Sequence, residues 1–179
     1  RIPTLDAKMV DTKGEISEKM TPFLGKPYVN VPDPFDCCPS WAEHFTKVWL
    51  NGIYAVGISE NDMKAFSNNS LYNSGEFDRF IEIILNNAEH ARKVIGQFQE
   101  TVGADYIPIN AICEKCGRIT TTVTAFDLQR KTVTYECIGR DLAGKYSIEG
   151  CGNKGEVPFR QVKLSWRFET PAQMGIFGV

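Results

Sequence analysis

The chain has 179 residues, of which 42% are apolar and 23% are charged. Its 20 basic and 22 acidic residues give a formal net charge of -2, which excludes a surface that is strongly basic along the whole chain, although not a local basic face. The apolar content is too high for a disordered tail. No apolar run approaches about 18 residues and no apolar leader opens the chain, so the sequence indicates neither a membrane span nor a signal peptide.

The N-terminal region up to residue 31 is predicted to be mostly loop with one short helical turn, because prolines and glycines interrupt every apolar period. From residue 40 the apolar positions recur at helical spacing. Ser40 or Asp36 can cap the start of this helix, and Gly52 can end it. Residues 53–58 then predict one short buried strand.

The strongest helical pattern covers residues 75–98, where apolar side chains form one stripe and charged ones fall on the other faces. After Gly103 the pattern changes to β-branched and aromatic runs separated by turn-like pieces. The predicted strands cover residues 107–113, 118–126, 131–137, 155–160 and 162–168. The sequence therefore predicts an α+β fold, with a helical N-terminal half and a small antiparallel β module in the C-terminal half.

Four of the six cysteines have a spacing that is typical of a zinc site. Cys113 and Cys116 form a C-x2-C-G motif between two predicted strands, and Cys151 repeats the Cys-Gly step after Cys137. Zinc prefers four soft ligands in a tetrahedron, and two hairpin tips of a small sheet can supply them. The pattern predicts a zinc ribbon whose metal is structural, because four thiolates leave no coordination position open for water.

Disulfides and buried free thiols are the alternatives to a metal at these four cysteines. Without a secretory leader we expect the chain to lie in a reducing compartment, the cytoplasm. Disulfides are rare there, which favours metal binding.

The remaining two cysteines, Cys37 and Cys38, are adjacent in the sequence. Adjacent side chains point in different directions, which disfavours one shared metal ion and favours a packing role at the start of the helix. His44 lies six residues after Cys38 on the same predicted helix, which is too far for one shared face. We therefore expect a Cys–His catalytic pair only if tertiary contacts bring these residues together.

Residues 31–45 read V-P-D-P-F-D-C-C-P-S-W-A-E-H-F and resemble the V-P-D-P-[WF]-G-C-H-E-S-[YF]-A-x-H stretch of class I lysyl-tRNA synthetases, the archaeal-type enzymes. Other stretches agree in order. They are G-K-P at 25–27, L-Y-N-S-G-E-F at 71–77, V-K-L-S-W-R at 162–167 and F-G-V at 177–179. The likeness covers about residues 20–179.

The resemblance implies a place between the two halves of a nucleotide-binding fold. Residues 1–103 would be a mainly helical connective part of a Rossmann-type catalytic domain, residues 104–168 a zinc-ribbon-like insertion, and residues 169–179 a return segment. The H-x-G-N-type and K-M-S-K-S-type signatures of the family are not in this chain. The parent enzyme would use ATP and Mg2+ to activate lysine and transfer it to tRNA, and we expect the segment alone to be inactive.

Ser40, Trp41 and His44 match the family motif nearest the cleft, so the resemblance implies that they are substrate-side residues; it assigns no catalytic residue here. Two stretches depart from the family. Cys38 and Pro39 replace a His-Glu pair, and residues 169–174 replace the D-W-P-x-R-W stretch near the amino-acid pocket. The second change removes aromatic rings and an arginine, which bears on lysine recognition.

Two further functions remain as alternatives to the ligase segment. A non-catalytic zinc-ribbon module would bind nucleic acid or a protein, and a thiol enzyme would use Cys37 or Cys38 with His44. A mild basic excess over residues 113–168 is compatible with contact to a tRNA acceptor stem. It is equally compatible with an ordinary solvated strand face, because the charges are interleaved.

Overall fold

A computed structural model of the chain describes residues 18–98, 103, 105–142 and 146–178. The chain divides into two compact units, residues 1–70 and residues 71–179. Helices and small antiparallel sheets are both present, so the fold is mixed α+β. No helix in the described part has the length and apolar content needed to span a membrane. The first 17 residues of the predicted N-terminal loop lie outside the described part.

Helix α1, Trp41–Ala55, is the main element of the first unit. Two 3-10 turns precede it, at Glu18–Phe23 and Tyr28–Asn30, which confirms that this region contains short helical turns. The Ser40 side-chain oxygen accepts a hydrogen bond from the backbone amide of Glu43 over 3.2 Å. Ser40 is therefore the residue that caps α1.

The predicted end of this helix at Gly52 and the predicted strand over residues 53–58 are both wrong. Helix α1 continues through Gly52 to Ala55, because a single glycine in a helix costs only about 1 kcal/mol relative to alanine. Gly57 follows with a φ of 91°, in the left-handed region that glycine adopts readily. Its backbone amide donates to the Tyr54 carbonyl over 3.0 Å, so Gly57 terminates the helix.

Three helices follow in the chain: α2, Asn68–Ser74, α3, Asp78–Asn86, and α4, Ala88–Gly96. The prediction of one continuous helix over residues 75–98 is therefore wrong, since the helix is interrupted at Asn87. The side-chain amide of Asn87 donates to the Ile83 carbonyl over 2.7 Å. Such a local bond competes with the helical backbone ladder, which accounts for the break.

In the described part of the second unit, seven strands form three small antiparallel sheets. They are β1, Ile109–Ala111; β2, Thr122–Asp127; β3, Thr132–Glu136; β4, Gly139–Leu142; β5, Tyr146–Glu149; β6, Lys154–Pro158; and β7, Val162–Leu164. Strand β1 pairs with β7, β3 lies between β2 and β6, and β4 and β5 form a hairpin. The sequence predicts five of these strands and misses the β4–β5 hairpin, because glycines flank both of its strands.

Helix α5, Trp166–Phe177, begins directly after β7. The strand predicted over residues 162–168 is therefore too long, since the backbone amides of Phe168 and Glu169 donate to the Ser165 carbonyl. Gly175 on α5 faces Phe80 on α3: a Cβ atom at residue 175 would lie 2.8 Å from the Phe80 ring. The glycine thus permits the close packing of α5 on α3.

A buried hydrogen-bond network joins α2, β7 and α5. The Tyr72 hydroxyl donates to Glu169 Oε1 over 3.0 Å and accepts from the backbone amide of Leu164 over 2.9 Å. Lys163 Nζ lies 3.9 Å from the other carboxylate oxygen of Glu169. The side chains of Tyr72, Glu169 and Lys163 are all buried. Because buried polar groups destabilise a fold unless they are paired, this network fixes the position of α5 on β7.

Candidate metal centre

The four cysteines predicted as metal ligands come together beside the ends of β3 and β6. The Sγ atoms of Cys113, Cys116, Cys137 and Cys151 all lie within 4.8 Å of one another. The distance is 3.6 Å from Cys113 to Cys151 and 3.7 Å from Cys116 to Cys137. None of the four thiols forms a disulfide.

The donor set fits a tetrahedral metal ion. Zinc binds thiolates at about 2.3 Å, which places two sulfur atoms of a tetrahedron about 3.8 Å apart. The two sulfur–sulfur distances are close to this value. The cluster can therefore hold a metal such as zinc.

Two backbone turns with the same hydrogen-bond pattern present these cysteines. In the first, the Gly117 amide donates to the Cys113 carbonyl over 2.7 Å, and the Cys113 amide donates to the Arg118 carbonyl over 2.8 Å. In the second, the Gly152 amide donates to the Cys137 carbonyl over 3.1 Å, and the Cys137 amide donates to the Asn153 carbonyl over 2.9 Å. Gly117 and Gly152 both adopt a positive φ, at 71° and 69°. We call these turns the first and second knuckles.

The long sequence interval between Cys137 and Cys151 is occupied by the β4–β5 hairpin, which leaves and re-enters the second knuckle. The hairpin is closed tightly at its base. A Cβ atom at Gly150 would lie 2.1 Å from the Cys137 carbonyl oxygen, and one at Gly139 would lie 2.2 Å from the Ile148 carbonyl oxygen. Since real Cβ atoms do not approach this closely, only glycines let the two chain segments meet here.

Hydrogen bonds from the backbone favour the thiolate form of the cysteines unequally. Burial acts to raise the pKa of Cys113, but the amides of Lys115 and Cys116 donate to its sulfur and lower that pKa to about 6. Burial raises the pKa of Cys137 to about 12 despite one donor, the Cys151 amide. These shifts favour the thiolate form of Cys113 and the thiol form of Cys137.

A second group of potential ligands lies in the first unit, around the start of α1. It consists of Asp33, Cys37, Cys38 and His44, whose ligand atoms also lie within 4.8 Å of one another. Cys37 Sγ is 3.7 Å from Cys38 Sγ and 3.2 Å from His44 Nδ1. His44 Nδ1 is 3.3 Å from Asp33 Oδ1. Two thiols, an imidazole and a carboxylate at these distances also form a donor set that zinc accepts.

The carboxylate of Asp33 organises this second cluster. Its oxygen atoms accept hydrogen bonds from the backbone amides of Phe35, Cys37 and Cys38 over 2.8 to 3.0 Å. Burial acts to raise the pKa of Asp33, but these donors and the Cys37 thiol outweigh it and lower the pKa to about 2. The hydrogen bond to Asp33 in turn raises the pKa of Cys37 to about 11. These shifts favour the carboxylate form of Asp33 and the thiol form of Cys37.

The sequence places His44 on a different helix face from Cys37 and Cys38, and this prediction is wrong. It rests on a helix that contains all three residues, whereas α1 begins only at Trp41 and both cysteines precede it in a loop. Asp36 in that loop has a φ of 56°, in the left-handed region, so the chain turns sharply there. The spacing D-x3-C-C-x5-H in the sequence was a signal for this cluster, and Asp33 was its overlooked member.

The three predicted substrate-side residues lie at the same place in the fold but have different neighbours. Ser40 caps α1, and Trp41 lies 4.5 Å from Phe45 between ring centroids. His44 directs Nδ1 into the second cluster, and its ring stacks on Phe35 at 4.7 Å. That any of these residues faces a substrate stays a prediction.

Comparison with known proteins identifies the family. The family described as tRNA synthetases class I (K) matches residues 7–179. The lysine–tRNA ligase of Halobacterium salinarum is 38% identical over 98% of this chain and 32% of its own length. The ligase of Natronomonas pharaonis is 44% identical over 87% of this chain and 28% of its own length. The ligase of Methanocaldococcus jannaschii is 32% identical over 88% of this chain and 28% of its own length.

The chain thus spans about a third of the length of the curated relatives that it matches. The family match leaves out only the first six residues of the chain. The chain therefore belongs to the class I tRNA synthetases (K).

Proposed function

We propose that the chain is a segment of a lysine–tRNA ligase, which uses ATP to activate lysine and then transfers the lysine to tRNA. The observation that carries this proposal is the identity of 38% and 44% to proteins named lysine–tRNA ligase, over 98% and 87% of the chain. In this reaction the lysine carboxylate attacks the α-phosphate of ATP, and the resulting aminoacyl adenylate reacts with the terminal ribose of the tRNA. ATP, Mg2+, lysine and tRNA are the proposed ligands of the whole enzyme.

The role proposed for this segment is to build the surroundings of the active site. Residues 1–103 are the connective part of the catalytic domain, residues 104–168 are a zinc-ribbon-like insertion, and residues 169–179 lead back into that domain. ATP and Mg2+ would be held by residues outside the segment, because neither nucleotide-binding signature is present in it. A ligase of this type acts where tRNA is used for translation, so we propose a cytoplasmic location.

The proposed metal at the four-cysteine cluster is a structural zinc ion. Four protein ligands close the coordination sphere, so the ion would hold the two knuckles together rather than activate water. The small sheet of β2, β3 and β6 buries few side chains, and a bound metal adds folding free energy to such a domain. We propose a second ion at the cluster of Asp33, Cys37, Cys38 and His44, where it would fix the loop that precedes α1.

We propose that the zinc-ribbon-like part, residues 104–168, lies close to tRNA in the whole enzyme. Lys115 and Arg118 lie in or beside the first knuckle, and the Lys115 side chain is exposed. Positive side chains that approach a phosphate backbone gain affinity by releasing counterions, and this gain falls with added salt. The acceptor end of tRNA is the partner that a synthetase insertion would meet.

The decisive experiment uses the full-length parent protein that carries this segment. Its lysine-dependent exchange of pyrophosphate into ATP, and its charging of tRNA with lysine, are measured beside the other amino acids. We expect exchange with lysine and formation of lysyl-tRNA. Exchange with a different amino acid would overturn the substrate assignment, and binding of tRNA without any exchange would instead support a non-catalytic module.

A further inference from the structure

The Tyr135 hydroxyl lies between the two knuckles of the four-cysteine cluster. Tyr135 is on β3, two residues before Cys137, and only 1% of its surface is exposed. Its oxygen accepts a hydrogen bond from the backbone amide of Glu114, in the first knuckle, over 2.9 Å. It accepts a second from the side-chain amide of Asn153, which directly follows the second knuckle, also over 2.9 Å. One oxygen atom therefore joins both knuckles without any metal.

The two amides use the full acceptor capacity of this hydroxyl. A tyrosine oxygen has two lone pairs, and both are taken by the amides of Glu114 and Asn153. Removal of the hydroxyl would therefore release both knuckles at once.

Strand β6, which pairs with β3, leaves room for the Tyr135 ring. Gly155 on β6 pairs with Tyr135 in the register of the sheet. A Cβ atom at Gly155 would lie 3.1 Å from the Tyr135 hydroxyl oxygen and 3.2 Å from its Cε1 atom. Contacts this short mean that a side chain at residue 155 would require the Tyr135 ring or the Glu114 side chain to shift by a few tenths of an ångström.

We propose that Tyr135 is the positioning residue of the metal centre: it holds the two knuckles at the separation that the metal requires. The proposal rests on the metal binding of the four cysteines described under Proposed function. Groups that position metal ligands through hydrogen bonds contribute about 10- to 100-fold to metal affinity. Tyr135 itself does not bind the metal.

The test compares the full-length parent protein with its Tyr135→Phe variant, each loaded with zinc. Transfer of zinc to a chromophoric chelator is followed over time, and the sulfur-to-cobalt charge-transfer band is recorded after replacement by Co2+. We expect zinc release to be about 10- to 100-fold faster in the variant and the band to shift, because the two knuckles lose the oxygen atom that joins them. Tyr72→Phe removes another buried hydroxyl away from the knuckles and should leave both readouts unchanged.

Asn153→Ala provides a second variant that keeps the aromatic ring in place and removes only the bridge to the second knuckle. It should accelerate zinc release less than Tyr135→Phe, because the hydrogen bond from the Glu114 amide to the hydroxyl is retained. If the wild-type protein binds zinc and both variants release it at the wild-type rate, the role of Tyr135 is refuted. If the wild-type protein takes up no metal at this cluster, the metal centre itself is refuted.

Discussion

The backbone amide of Gly152 donates to the carbonyl of Cys137 across 3.1 Å, although fourteen residues lie between the two in the sequence. The same bond in the first knuckle, from Gly117 to Cys113, closes a loop of only a few residues. The second knuckle is thus a complete C-x2-C-G turn into which a hairpin has been inserted. We infer that the arrangement of the Cys137 and Cys151 thiols does not depend on the inserted residues.

Removal of the hairpin should therefore leave the metal centre intact. Deletion of residues 139–149 joins Ile138 to Gly150 and creates the sequence Cys-Ile-Gly-Cys-Gly, which has the spacing of the first knuckle. Because a Cβ atom at Gly150 would lie only 2.3 Å from the Ile138 carbonyl carbon, the two ends already meet. We expect the shortened parent protein to retain its zinc, measured by elemental analysis against an unmodified control. Loss of the zinc from a protein that is still folded would contradict this prediction.

Substitution of Gly150 by alanine should disrupt the same centre. The new Cβ atom would meet the Cys137 carbonyl oxygen at 2.1 Å, so the base of the hairpin would be forced open and the second knuckle displaced. We expect the zinc content to fall and the thermal midpoint to drop. Gly52→Ala is a suitable control, since nothing lies within 4 Å of that position in helix α1. It should stabilise the helix by about 0.5–1 kcal/mol and leave the zinc content unchanged.

The second cluster predicts a second metal ion per chain. Cys38→Ser replaces a thiolate by a poor zinc ligand and should reduce the metal content by one ion, whereas Cys38→His supplies an imidazole and should preserve it. Metal content is measured by elemental analysis after dialysis, with Cys113→Ser as the variant that affects the other site. A wild-type content of one zinc per chain, removed completely by Cys113→Ser, would show that the second cluster binds no metal.

The buried network around Glu169 predicts a specific loss of stability. Tyr72→Phe removes the acceptor of the Leu164 backbone amide, and leaving a buried donor unpaired costs about 1–3 kcal/mol. The free energy of unfolding of the second unit is measured by denaturant titration. Tyr54→Phe removes a hydroxyl whose contact with Glu60 is exposed and 3.5 Å long, so it should change stability much less. Equal effects of the two substitutions would argue against the network.

The four-cysteine cluster was predictable because zinc ligands in a ribbon follow short, local spacing rules. Cys113 and Cys116 belong to one turn, and each cysteine pair precedes a glycine with positive φ. The cluster around Asp33 was harder to predict, because it depends on where α1 begins. The sequence offers both Asp36 and Ser40 as caps, and only the choice of Ser40 places the two cysteines in a loop facing His44.

The elements of the fold differed in predictability for similar reasons. Strand β3 alternates buried Val133 and Tyr135 with half-buried residues, and β2 is rich in β-branched residues although only Val123 is buried, so both can be read from the sequence. The break at Asn87 was not visible, because an apolar stripe continues across it and only one side-chain hydrogen bond interrupts the helix. The role of Tyr135 had no sequence signal, since it depends on partners that lie about twenty positions away on either side.

Strands β1 and β7 lie side by side and antiparallel, with Ile109 opposite Leu164 and Ala111 opposite Val162. The segment between them, which includes the four clustered cysteines, therefore begins and ends at neighbouring points of the fold. The β4–β5 hairpin repeats this arrangement inside the second knuckle, where a second pair of antiparallel strands leaves and re-enters the fold at neighbouring points. The hairpin thus lies within the segment that β1 and β7 enclose, and each segment is closed by its own pair of strands. A change in the length of the β4–β5 hairpin is therefore expected to leave the pairing of β1 with β7 in place.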